Sequence, residues 1–170
     1  MSSAVKSAYA SSSALTITLA SLASSSTLVA GRSSVYVDNT SNLYLDYKIS
    51  GKITTGTSPT AGTFIEVWAY TALEDTPTWP DTIAGTDAAK TLTSVNVKYA
   101  ALKLITVITI DSSSNETYYF GPYSLAWLPG LGGNPPFYFG VFVVHNTGVN
   151  LNSTGGNHAI WIKPDYDNVG

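Results

Sequence analysis

Short strand-like segments dominate this chain, and clusters of Gly, Pro, Asn, Asp and Ser close most of them. The segments span 14–20, 27–37, 43–53, 63–70, 102–110, 116–127, 137–145 and 159–163. Each is rich in Val, Ile, Thr or aromatic residues. The alternation is plain in Leu43-Tyr44-Leu45-Asp46-Tyr47-Lys48-Ile49, which predicts that Leu43, Leu45, Tyr47 and Ile49 share one face and Asp46 and Lys48 the other. Glu66 between Ile65 and Val67, and Lys103 between Leu102 and Leu104, repeat it. Turn-rich stretches at 55–62, 111–115 and 152–157 fall between segments. A short helix is expected within 87–101, capped by Ser94. About eight strands in one domain predict an all-β sandwich, with a jelly roll as first choice and a plainer Greek key as second.

The segment 137–144 is apolar at nearly every position, so it must be covered on both faces, by its own fold or by a neighbouring subunit. The stretch 79–90 shows no alternation and reads as a long excursion, of the kind that is functional or covers a partner. Residues 1–12 are small and polar and read as a flexible extended arm, leaving 13–170 as a single sandwich domain. Lys6 and the Ala/Leu-rich stretch after it resemble a secretory signal, but Leu15, Ile17 and Leu19 alternate with Thr16 and Thr18 as a strand does.

Charge then limits the partners. Charged residues are 11% of the chain, against about 25% in an ordinary soluble domain. Their place is taken by 21 serines and 21 threonines, so the surface is hydroxyl and amide rather than ionic. Such a surface loses little on desolvation and suits packing on protein or sugar. A net charge of −3 with no basic stripe argues against nucleic acid. No apolar run is long enough to span a bilayer as a helix, and no cysteine is present for disulfide or thiolate chemistry.

The chemistry of catalysis is hard to assemble. His145 and His158 are the two histidines, and both read as strand-end residues bonded to loops. No Gly-x-Ser-x-Gly elbow is present. Asp38-Asn-Thr-Ser-Asn could offer oxygens to calcium, although side-chain capping of a turn explains it more simply. Asp165 and Asp167 share a face in an extended chain. The glycine-rich 128–136 lacks the Lys-Ser/Thr ending of a phosphate loop. No catalytic residue, metal or cofactor is expected, and the chain reads as a non-enzyme.

Aromatics carry the remaining signal. Four tryptophans and eleven tyrosines serve either core and subunit interface or a sugar platform. The short Ser/Ala arm, the cysteine-free β pattern and the segments VDNTSNLYLDYKISGKITTG (37–56) and GVFVVHNTGVNLNSTGGNHAIWIKP (140–164) together resemble small structural proteins of tailed-bacteriophage virions. The likeness is one of texture and covers most of 13–164. It implies a capsid decoration (cement) protein at the virion surface, or a tail or head-to-tail component, with no catalytic residues to carry over. The implied partners are the major capsid protein or other virion subunits and further copies of the chain, a trimer being favoured. A carbohydrate-binding sandwich with a glycan ligand is the alternative. The residues expected to meet a partner are Val5 and Tyr9 on the arm, Trp79 and Trp127 as exposed rings, and Phe137 and Tyr138 at the start of the apolar strand.

Overall fold

A computed structural model describes residues 5–169 as two antiparallel sheets packed face to face. The first sheet holds β1 (Val5–Tyr9), β2 (Ser13–Ala14), β5 (Asp46–Thr54), β9 (Thr117–Ser124) and β11 (Ala159–Val169), in the order β1-β11-β5-β9 with β2 also on β11. The second holds β3 (Ala30–Ser33), β4 (Val37–Asp38), β6 (Phe64–Ala72), β7 (Ala88–Thr91), β8 (Lys103–Thr109) and β10 (Tyr138–His145), in the order β7-β3-β10-β6-β8 with β4 also on β10. The connections from β2 through β3, β5, β6, β8, β9 and β10 to β11 change sheet at every step except β6 to β8. Layers of β2-β11-β5-β9 and β3-β10-β6-β8 wound in this way are a jelly roll.

The period-2 pattern places the inner core. Tyr47, Ile49 and Ile53 of β5, Ile160 and Ile162 of β11 and Phe139, Val141 and Val143 of β10 interdigitate between the sheets. A second core lies on the outer face of the other sheet. There Trp68 and Tyr70 of β6 and Phe142 and Val144 of β10 are covered by Ile83, Leu92 and Leu102. The excursion after β6, with the helix α1 (Val95–Ala101), is that cover. β10 is therefore buried along its whole length by its own chain. A neighbouring subunit is not needed to explain it, which removes that support for a trimer. Gly140 serves this packing directly, because a Cβ there would stand 2.2 Å from the Tyr70 ring and hydroxyl.

Ser94 caps α1 as expected, its hydroxyl accepting from Val97 N–H at 3.2 Å. Other expectations are corrected. The alternation at 14–20 gives only the two-residue β2; beyond it Leu15 and Leu19 are buried without a ladder, as the chain crosses from one sheet to the other. Alternation reports a buried face, and here that face fills the core between the sheets. β7 lies inside the stretch expected to hold the helix. Of the presumed arm, residues 5–9 form β1, paired in register with Val169 to Asp165 of β11. β5 begins only at Asp46, so Leu43 and Leu45 precede it and are exposed rather than in the core. Asp46 and Glu66, expected on wet faces, are buried.

Candidate functional site

The two ends of the sandwich differ in chemistry. At one end lie the connections 55–63, 110–116 and 146–158, dominated by Thr, Ser, Asn and Gly. At the other end the connections before β5, after β6 and before β10 emerge together, since Asp46, Ala72 and Tyr138 begin or end their strands there. These connections display Leu43, Leu45, Leu73, Trp127 and Phe137, all exposed. β11 continues past Asp165 at this same end, paired with β1 alone, and the resulting two-stranded ribbon carries exposed Val5 and Tyr166.

Local sequence explains how the leucines are held outward. Asn39 is buried, and its side chain clamps the loop 39–45: Oδ1 accepts from Tyr44 N–H (2.9 Å) and from the Tyr47 hydroxyl (3.0 Å), while Nδ2 donates to Tyr44 C=O (3.1 Å). The Leu43 N–H donates to Asn39 C=O at 2.9 Å. Leu43 sits at φ +50°, a left-handed conformation that a leucine adopts at a cost. Asp38 closes the preceding turn by accepting from the N–H and hydroxyl of Thr40 at 2.8 and 2.7 Å, the capping role. The loop is thus a rigid mount for two solvent-facing leucines.

Between this mount and the 130–137 connection lies a trough of about 580 Å³. Leu43, Leu45, Leu73, Leu131, Pro135 and Phe137 line it, with Thr71, Lys103 and Asn134 at polar positions. Leu73 is 70% exposed and Trp127, on the same connection as Phe137, is 77% exposed. A soluble domain rarely leaves so many large apolar side chains gathered in one concavity unless something covers them.

A buried carboxylate fixes the strands at this end. Burial alone would raise the Asp46 pKa, but hydrogen bonds from Lys48, Ser124, Ala126 N–H and Tyr47 N–H outweigh it and hold the carboxyl below its ordinary value. Asp46 thereby ties the start of β5 to the end of β9. Arg32 pairs with Asp87, which also accepts from Thr18.

The expected partner residues separate into two groups. Val5, Tyr9, Trp127 and Phe137 are exposed, and Phe137 lines the trough. Trp79 does not present a ring face to solvent: it is half-buried, 5.1 Å from the Tyr36 ring and 5.2 Å from the Tyr70 ring. Tyr138 is buried, its hydroxyl donating to Asp75 C=O, so its place in an interface is withdrawn. Leu43, Leu45 and Leu73 went unrecognised, because alternation assigned the first two to the core and a lone Leu after a strand carries no signal.

Both histidines act in structure. His145 is fully buried, bonded through Nε2 to Leu22 C=O (2.9 Å) and through Nδ1 to the Thr147 hydroxyl (3.0 Å). His158 Nε2–H donates to Asn152 C=O (2.8 Å) and its Nδ1 accepts from Thr54 N–H (3.3 Å). No protein-family model matches the chain, and no curated protein matches it in sequence.

Proposed function

We propose that this chain is a non-enzymatic structural protein of a virus particle, a capsid decoration subunit that attaches to shell proteins through the apolar end of its sandwich. The observation that carries the reading is the asymmetry between the ends: one is hydroxyl-rich, the other gathers Leu43, Leu45, Leu73, Trp127 and Phe137 around one trough. Sparse charge supports it, since a surface of hydroxyls and amides is desolvated more cheaply than an ionic one. Decoration sums many modest contacts over a repeating lattice, and each bound copy stabilises the assembled state by mass action.

The test is reconstitution. Purified protein added to expanded, undecorated heads should bind at saturating stoichiometry and raise their rupture temperature. Leu73→Asp and Phe137→Ser should fold normally and lose that binding. Binding to isolated tails rather than heads would move the protein to the tail, and equal binding by wild type and both variants would remove the apolar end from the account.

A further inference from the structure

Away from the apolar end, the outer face of the first sheet holds a cleft of about 730 Å³. Its walls come from β1, β5, β9 and β11 and from Ser12 beside β2. Tyr9 and Ser12 stand on or beside β1 and β2, Lys48 and Ser50 on β5, and Trp161 and Lys163 on β11. The edge strand beside the cleft shifts its register. Tyr9 pairs with Asp165 and Ser13 with Ile162, so four residues of one strand span three of the other. Tyr9 faces the same side as its partner Asp165, and so as Lys163 and Trp161, which places its ring on this face.

The charges here are unequal. Lys48 donates to Asp46 and lies 3.9 Å from Asp165, so its charge is compensated. Lys163 forms no ion pair among the described residues, and its ammonium stands 5.7 Å from the centre of the Tyr9 ring. The cleft therefore offers two aromatic rings, serine hydroxyls and one uncompensated cation.

Ligand classes can be sorted on these features. β11 and β5 are paired on both sides along the cleft, so they have no open backbone edge for an added peptide strand. One free ammonium is too little for a nucleic acid, which is held by many phosphate contacts. A pyranose has an apolar C–H face for a ring and a rim of hydroxyls for serines, and an acidic substituent would meet Lys163. We propose that this cleft binds an acidic saccharide, its ring on Trp161 and Tyr9 and its carboxylate or sulfate on Lys163. The site is separate from the apolar end, so a decorating subunit would keep it available with its trough covered.

The experiment uses the full chain on an array of oligosaccharides bearing uronate, sialate or sulfate groups, each beside its neutral counterpart, followed by calorimetric titration of the best pair. The acidic sugar should bind with Kd of about 1 mM or tighter and exceed its neutral counterpart by about threefold to fivefold, the scale of one exposed ion pair. Lys163→Gln should abolish that preference and leave the neutral sugar's affinity within about twofold. Trp161→Ala should weaken both sugars by about tenfold or more. If Trp161→Ala fails to fold, Lys163→Gln decides alone, because Lys163 is exposed. No acidic sugar binding, equal binding of both members of every pair, or a preference that survives Lys163→Gln would each overturn the proposal. Lys163→Gln should leave attachment to heads unchanged, which separates this site from the docking end.

Discussion

Lys98 donates to Glu66 at 2.6 Å between α1 and β6, with the lysine fully buried. The same ammonium donates to Leu28 C=O (2.7 Å) and lies 5.1 Å from the centre of the Trp68 ring, while Trp68 Nε1–H donates to Glu66 at 2.8 Å. A cation and an anion that share one set of partners hold the covering helix in a single place on the sheet.

Removing either partner strands a buried charge. Lys98→Met or Glu66→Leu alone should destabilise the fold by about 3–5 kcal/mol, and the double replacement should recover most of the loss. Urea denaturation of the three variants checks this. A double variant as unstable as the two losses combined would show that the two residues do not act as a pair.

The Asn39 clamp should be worth more than one ordinary surface contact. Asn39→Ala removes three hydrogen bonds at a buried position and should cost about 2–4 kcal/mol, at roughly 1 kcal/mol each. Hydrogen exchange should then quicken at Tyr44 and Leu45 before it quickens in β10.

Leu43 offers a way to separate stability from attachment. At φ +50° a glycine is unstrained, so Leu43→Gly should change stability by less than about 1 kcal/mol, relief of strain offsetting the flexibility gained by the unfolded chain. Attachment to heads should weaken, since one wall of the trough is lost. Thermal melting paired with a sedimentation assay reads both effects.

Acid should weaken the protein in two stages. Burial pushes the His158 pKa below 6.5 against the opposing pull of the Asn152 carbonyl, and Lys52 adds to the depression. Burial likewise lowers His145 despite its bond to Leu22. Both rings are neutral in the fold, so between 6.5 and their lowered values the unfolded chain binds more protons and stability falls as pH falls. The second stage begins near 3.8, where the unfolded aspartates protonate while Asp46 and Asp87 stay charged in the fold. Urea midpoints from pH 8 to 3 should be level, then decline below about 6.5, then drop again below about 4. His158→Gln should lessen the first decline, leaving the part due to His145; a midpoint that rises between pH 6.5 and 5 would contradict the assignment.

Crowding at β10 gives the last prediction. Gly140→Ala would drive a methyl into Tyr70, whose hydroxyl is anchored on Ser34 C=O at 2.6 Å and cannot yield freely. A loss of about 2–3 kcal/mol is expected, and Tyr70→Phe in the same background should soften it by freeing the ring to move.

Local rules carried much of the fold. β6, β8, β9, β10 and the Ser94-capped helix lie where β-branched and aromatic runs or a capping serine placed them, because those signals act within a few residues. The sandwich class followed from their number. The rest depended on what lay across from each residue. Leu43 and Leu45 carry the same alternation as Tyr47 and Ile49, but β11 stops offering β5 a partner at Asp165, so the pattern outruns the ladder and the two leucines emerge at the surface. Glu66 is polar on an alternating strand, which locally means solvent, until α1 is laid over it with Lys98. The apolar β10 required a cover without saying whose, and only the return of residues 79–102 across the sheet supplied it. The candidate surfaces share this limit: exposure and concavity arise between segments distant in the chain, so no window of sequence contains them.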